Sequence, residues 1–445
     1  MTNPEGCHVQ NPPFATWHWC SNRSPWKRKN ALLSSRVKKE CLLRNMRVTG
    51  RYETTSVAGE KVRAFVPFPL PPAEPPLELS PELLGNIRSA EEAVRRLDVA
   101  AGLVPSIDWF IYGFVRKEAV VTSQIEGTQA TLVDVLDYEA RAEGEDHPSP
   151  DVEEVCNYID ALRFAREELR RRRGLPISMR LLNACHIRLM NGVRGERKQP
   201  GEVRRSQNWV GGTRPGNAVF VPPPPNELSG ALGRLEKYIH SASDLPPLVR
   251  IGLIHVQFET IHPYLDGNGR IGRLLIALLL EDWRLLSQPL LYLSLFFKRN
   301  LDEYYDRLGR VRTDGDWEGW IEYFLRGVEL VSEEAVQNAM ELSARAKDDR
   351  ESVLGNRQTT VAAVRLFERL PEHPMITVKR AMKMLATTRP TAAKAVEALV
   401  TAGVLEETSG RKRDRVFAYA EYLKLLGQGT ELQPVAATAV PGDPL

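Results

Sequence analysis

His262-Pro263-Tyr264-Leu265-Asp266-Gly267-Asn268-Gly269-Arg270-Ile271-Gly272-Arg273 is the stretch that decides how the chain is read. It joins two apolar segments: Leu248–Glu259 enters it with helical spacing, and Ile271–Leu280 leaves it as a helical run. Glycines on either side of Asn268 open backbone conformations closed to other residues. Successive amide hydrogens can then form a concave anion site, and the following helix adds the positive end of its dipole. Arg270 and Arg273 bring further positive charge on a similar helix face. Asp266 is the only carboxylate within the loop, suited to a Mg²⁺ that also binds phosphate oxygens. An imidazole with an ordinary pKa of ~6.5 is mostly neutral near pH 7, so His262 can take a proton from an attacking hydroxyl. Each piece alone describes a turn. Together they describe a site for phosphate chemistry.

The composition narrows the class. With 445 residues the chain is long for one core, and about three domains are expected. Hydrophobic residues at 42% and charged residues at 26% are ordinary for a soluble globular protein. The net charge of +3, from 60 basic and 57 acidic residues, calls for neither a nucleic-acid nor a membrane partner. Leu274–Leu280 is the most apolar run, and it is too short to cross a bilayer. Residues 1–30 show no long apolar run after a basic start, which argues against a secretory signal. The 5 cysteines form no disulfide framework, so a cytoplasmic location is expected. Cys7, His8, His18 and Cys20 match no standard zinc spacing.

Moving outward from the loop, the expected fold class is mainly α with small β elements. Residues 1–50 are polar and aperiodic, a disordered extension, and Pro67 to Pro76 reads as an extended linker. Ser80-Pro81-Glu82 opens the first helix, which runs through Val99. Further helices are predicted at Ile107–Val121, Leu132–Ala140, Val152–Arg172 and Ser178–Leu189, within an N-terminal region over 51–150 and a core over 151–335. Gln207-Asn208-Trp209-Val210-Gly211-Gly212 and Ala218–Val221 flank a Gly/Pro turn as a β-hairpin would. A linker helix over 336–354 then leads to three short helices, Thr359–Leu370, Thr377–Leu385 and Thr391–Ala402. A basic two-stranded wing around Arg411, Lys412, Arg413 and Arg415 follows, giving a winged helix-turn-helix over 355–430 and a disordered tail over 431–445.

HPYLDGNGRIGR resembles the signature of Fic-domain proteins, His-Pro-Phe-x-Asp/Glu-Gly-Asn-Gly-Arg-x-x-Arg, with Tyr264 in place of the usual Phe. The resemblance implies an all-helical Fic fold with a β-hairpin flap over about residues 80–330, and transfer of AMP from ATP to a protein hydroxyl with release of pyrophosphate. By position, His262 would be the general base and Asp266 the Mg²⁺ ligand. Asn268 and the amides around Gly267 and Gly269 would hold the α- and β-phosphates, with Arg270 helping. Arg273 would pair with the γ-phosphate. The related Doc branch, which acts as a kinase, carries Lys and a different small residue in this loop, whereas Gly267 and Gly269 follow the AMP-transfer form. Arg205–Pro223 resembles the flap that holds an extended target segment by strand pairing. Tyr304 and Tyr305 resemble an aromatic pair lining the adenine side, one expected to stack and one to pack in the core.

Thr122-Ser123-Gln124-Ile125-Glu126-Gly127 resembles the family's inhibitory motif, Ser/Thr-x-x-x-Glu-Gly/Asn. Thr122 and Glu126 share a helix face and Gly127 suits its end. The resemblance implies competition, with Glu126 taking the place of the γ-phosphate at Arg273. The expected partners are a target protein with a hydroxyl side chain, the chain itself included, no membrane, and a DNA or protein partner for the winged helix. A homodimer is a further possibility. Two other functions stay open on the sequence: a nucleotide-sensing DNA-binding regulator, and hydrolytic removal of AMP from proteins with Glu126 orienting a water.

Overall fold

The computed structural model describes residues 47–57, 59–103, 106–141, 148–411 and 414–432. The Cys7–Cys20 cluster, Lys412, Arg413 and the tail beyond residue 432 lie outside them. Of the expected disordered extension, residues 47–50 are ordered: Arg47 forms a bidentate ion pair with Glu318 at 2.9 and 3.0 Å.

The chain opens with a hairpin that the sequence reading missed, β1 (Gly50–Val57) and β2 (Glu60–Pro67), antiparallel from Gly50↔Pro67 to Val57↔Glu60. Helices follow: α1 (Pro81–Leu103), α2 (Ile107–Ile125), α3 (Leu132–Arg141), α4 (Pro150–Arg170) and α5 (Met179–Leu189). Their starts follow local chemistry. Ser149 caps α4 by accepting from the Val152 amide at 3.3 Å, with Pro150 at the first position. Ser178 caps α5 in the same way.

The next helices are α6 (Pro225–His240), α7 (Pro247–Ile261), α8 (Asn268–Asp282), α9 (Ser294–Arg299) and α10 (Leu301–Thr313). In α7 nearly every residue from Leu248 to Ile261 is buried, which its all-round apolar sequence requires of a central helix. Gly252 lets α11 (Trp317–Gly355) approach it; a Cβ there would stand 2.9 Å from Ile321, and Trp320 donates to the Gly252 carbonyl at 2.8 Å. Helix α11 is continuous for 39 residues, about 58 Å at 1.5 Å per residue. The expected linker helix is therefore its C-terminal half, not a separate element.

After α11 come α12 (Val361–Phe367), β3 (Met375–Thr377), α13 (Val378–Met384), α14 (Arg389–Thr401), β4 (Glu406–Glu407), β5 (Val416–Ala418) and α15 (Ala420–Leu426). The strands form an antiparallel sheet in the order β3-β5-β4. Three short helices with a strand pair after the third are what the sequence led us to expect, with one strand, β3, added. Among the described residues no helix is long and apolar enough to cross a membrane.

Candidate active site

The loop at 262–267 connects two largely buried helices, α7 and α8. Helix α7 ends as His262 enters the left-handed region at φ 50°, its amide still bonded to the Phe258 carbonyl at 2.9 Å. Gly267, at φ 74°, then caps α8. A Cβ on Gly267 would crowd Met190 and His186 at 3.1 and 3.3 Å, so glycine is required for conformation and for space.

Asn268 fastens this turn. Its Oδ1 accepts from the Tyr264 amide and its Nδ2 donates to the Tyr264 carbonyl, both at 2.8 Å. The side chain is thus engaged with the loop backbone, and its amide group shapes the turn. The first-turn backbone N–H groups of α8 are those a helix cannot satisfy internally, and they remain the donors. Tyr264 is fully buried, stacks on His186 with ring centroids 4.0 Å apart, and donates its hydroxyl to Asn183 Oδ1 at 2.8 Å. The extra oxygen relative to phenylalanine therefore has a partner.

His186 holds the loop from below. The Gly201 amide donates to its Nδ1 at 2.8 Å, so Nε2 carries the proton given to the Asp266 carbonyl at 3.0 Å. Burial pushes its pKa down to about 4, which keeps this tautomer neutral. Arg204 braces the other side. Its Nε donates to the His262 carbonyl at 2.9 Å, and its terminal nitrogens reach the Ser206 and Pro223 carbonyls at 3.1 and 2.6 Å. Neither residue had a sequence signal, because both act through backbone atoms far along the chain.

His262 is half-buried, and burial together with the neighbouring Arg204 pushes its pKa down to about 4. The imidazole is neutral at physiological pH, in the proton-accepting form. Asp266 Oδ1 accepts from the Gly267 amide at 2.6 Å, while Oδ2 faces Lys198 at 3.7 Å. Among the described residues no group of three or more His, Cys, Asp or Glu stands ready for a metal. One carboxylate still fits Mg²⁺ when phosphate and water supply the other ligands.

The two arginines have different surroundings. Arg270 is buried and turned to Glu154 Oε2 at 3.3 Å, with Asp266 at 3.6 Å. Arg273 reaches forward. Its Nε donates to Thr122 Oγ1 at 2.7 Å, and one terminal nitrogen bonds the Thr122 carbonyl at 3.0 Å and Glu126 Oε1 at 2.6 Å. Glu126 Oε1 lies where a Cβ on Gly269 would be, only 2.3 Å from that position. The carboxylate therefore rests against the glycine of the anion loop. Burial alone would raise its pKa, but the Arg273 guanidinium outweighs that and holds it below the usual range.

The flap differs from its expectation. Gln207–Gly212 and Ala218–Val221 are joined by one bridge, Val210↔Phe220, with a 3₁₀ turn at Pro215–Asn217, rather than by paired strands. Gly211 and Gly212, at φ 67° and 76°, break the strand conformation. Gln207 donates to the Asn208 and Pro222 carbonyls at 3.1 and 2.8 Å, and Asn208 donates to the Tyr264 carbonyl at 3.2 Å. Trp209 is half-buried beside them, its indole nitrogen enclosed. The outer edge is held by β2, where the Phe65 amide donates to Val221 at 2.9 Å. Of Tyr304 and Tyr305, one packs in the core and the other reaches the surface. Tyr304 is buried with its hydroxyl on His255 at 2.8 Å, so it packs in the core instead of lining a pocket, whereas Tyr305 is half exposed.

Residues 84–167 match the family model "Fic/DOC family N-terminal" and residues 176–280 the model "Fic/DOC family". The chain is 36% identical over 108 residues to the protein adenylyltransferase Fic of Drosophila willistoni, covering 24% of this chain and 20% of that protein. To its counterpart in Drosophila ananassae it is 33% identical over 128 residues, covering 28% and 22%. It therefore spans about a fifth of the length of the curated relatives it matches. A Fic family protein from Desulfovibrio desulfuricans has the same fold, with TM-score 0.50 and 22% identity over 77% of this chain and 97% of that one.

Proposed function

This chain is a Fic-domain protein, and from that premise we propose that it is a protein adenylyltransferase, moving AMP from ATP to a Ser, Thr or Tyr hydroxyl of a protein and restrained by Glu126. One observation carries the proposal. Arg273, beside the glycine-flanked N-terminus of α8, already holds an anion, and that anion is the chain's own Glu126, paired at 2.6 Å and resting against Gly269. A guanidinium that accepts a carboxylate there is offered, with the helix N-terminus next to it, to a nucleotide phosphate.

In the reaction, the target hydroxyl oxygen attacks the α-phosphorus, and its proton passes to a ring nitrogen of the neutral His262. The bond from the α-phosphorus to the bridging oxygen breaks, and pyrophosphate leaves with the electron pair. Charge building on the phosphoryl oxygens is met by the first-turn amides of α8 and by Arg273, with Arg270 adding potential from below. Mg²⁺, with Asp266 as its loop ligand, would supply charge for the leaving pyrophosphate. Asn208 ties the flap to the loop through the Tyr264 carbonyl, and Gln207 braces the flap internally, so a target segment laid along 209–212 would be held at a fixed position relative to the loop.

The test is incubation of the wild type, His262→Ala and Glu126→Gly with α-labelled and γ-labelled ATP. Protein label from the α position only, lost in His262→Ala, is expected. Loss of a general base costs about 10²- to 10⁴-fold. Label from the γ position would mean a kinase, and label retained at full rate in His262→Ala would remove the assigned base.

A further inference from the structure

The helix that carries Glu126 is held by the C-terminal end of the same chain. Gln124 sits two residues before Glu126 at the end of α2. Its Nε2 donates to the Thr430 carbonyl at 3.0 Å as well as to the Ala130 carbonyl at 2.9 Å. Lys298 of α9 closes the arrangement, donating to Gln124 Oε1 at 2.6 Å and to the Glu431 carbonyl at 2.7 Å. One buried ammonium thus pins the tail segment and the helix end together. The tail is shaped for this position: Gly429 takes φ 82°, and a Cβ there would stand 2.9 Å from Leu295 of α9.

The contact continues along α2. Leu426, the last residue of α15, lies against Gly113, where a Cβ would be 2.7 Å away. Tyr112 meets His373 edge-on at 5.7 Å, and Arg380 of α13 donates to the Glu139 carbonyl of α3. Helix α2 is packed through Phe110, Phe114, Ala119, Val120 and Val121, but it also buries Lys117, Glu118, Thr122 and Ser123, and among the described residues Glu118 Oε2 and Ser123 Oγ have no hydrogen-bond partner. Unpaired buried polar groups cost stability, so the ties at the helix end add to how firmly its last turn stays seated.

We propose that residues 427–431 act as a clamp on the end of α2, so that docking of the C-terminal segment sets how strongly Glu126 occupies the nucleotide site. The proposal rests on the adenylyltransferase reading above. Because Gln124 and Glu126 share the last turn of one helix, undocking the tail loosens the carboxylate from Arg273. The coupling is reciprocal: nucleotide that displaces Glu126 weakens the tail's hold by the same factor. A partner that draws on the C-terminal helices and sheet would release the brake without touching the catalytic loop.

The experiment uses the full chain with Gly429→Val, which forces the tail away from Leu295, and Gln124→Ala, which removes its bonds to Thr430, Ala130 and Lys298 without adding bulk. Each is measured beside Glu126→Gly for transfer of α-labelled AMP and for amide hydrogen exchange across residues 118–126. Both clamp variants are expected to exchange faster there and to transfer roughly tenfold faster, the loss of hydrogen bonds to a charged group being of that order. Neither is expected to add to the rate once Glu126→Gly is present. Unchanged exchange and unchanged transfer in Gln124→Ala, with Glu126→Gly still activated, would overturn the clamp and leave the brake standing. If Glu126→Gly gives no activation, the brake fails and the clamp fails with it. Should Gly429→Val not fold, the Gln124→Ala exchange rates decide alone.

Discussion

Replacing Glu126 with glycine isolates the brake. In the wild type, Arg273 NH2 and Glu126 Oε1 are 2.6 Å apart, with side chains 3% and 30% exposed. A pair so placed lies between a surface ion pair and a fully buried one. A charge-assisted hydrogen bond of this kind contributes about 1.5–3 kcal/mol. If that free energy must be spent each time a γ-phosphate takes the place of the carboxylate, its removal raises productive turnover about 10- to 150-fold. Arg273 does not lose its position in the variant, because Thr122 still binds it twice, at 2.7 and 3.0 Å. The assay is incorporation of α-labelled AMP into protein at fixed ATP, with nucleotide binding followed by thermal shift. Glu126→Gln serves as the control that keeps bulk against Gly269 while removing charge, and it should fall between the two. A folded, nucleotide-binding Glu126→Gly variant with wild-type transfer would refute the competition argument.

Two further outcomes follow from the geometry. Burial raises the Glu118 carboxyl to about 7 from a model-compound value of 4.5, although Ser294 donates to it. The folded state then favours the protonated form, so stability declines as pH rises from about 4.5 to 7 and stays low above. Glu118→Gln should therefore raise the melting temperature at pH 8 and change it little at pH 5; equal effects at both would discard the buried-acid account. Tyr264→Phe removes the bond to the half-buried Asn183 and should lower unfolding stability by about 1 kcal/mol in urea titration with transfer intact. A large loss of transfer would mean that the hydroxyl acts beyond packing.

The loop at 262–273 was legible because its chemistry is contiguous: base, acid, glycines and arginines fall in one short stretch and need only a helix behind them. The pairing of Glu126 with Arg273 was readable only through the resemblance to the family's inhibitory motif; helical spacing set Thr122 and Glu126 on one face but does not name a partner so far along the chain. The supports were not. Arg204 and His186 act on the carbonyls of His262 and Asp266, and a bond to backbone leaves no pattern in side-chain identity. Asn268 and Arg270 were assigned to phosphate because their residue types permit it, and only the fold shows them engaged with Tyr264 and Glu154. The flap was overestimated as a hairpin because alternation on both sides of a turn says nothing of two left-handed glycines at 211 and 212. Hairpin β1–β2 was missed beside Pro-rich sequence, and it is the element that secures the flap's outer edge.

The fastening of Asn268 to Tyr264 carries a consequence for kinetics. On the proposed reading, a cradle locked by its own side chain would be ready before any nucleotide arrives, and the off state would come from filling a finished receptor and not from dismantling one. The occupant is tethered, and a tethered ligand competes at an effective concentration on the order of millimolar or above. Raising free nucleotide then shifts the balance only gradually, whereas moving one helix end by a few ångströms removes the competitor altogether. The switch answers to mechanical position far more steeply than to supply, and it can reset as fast as a helix end moves.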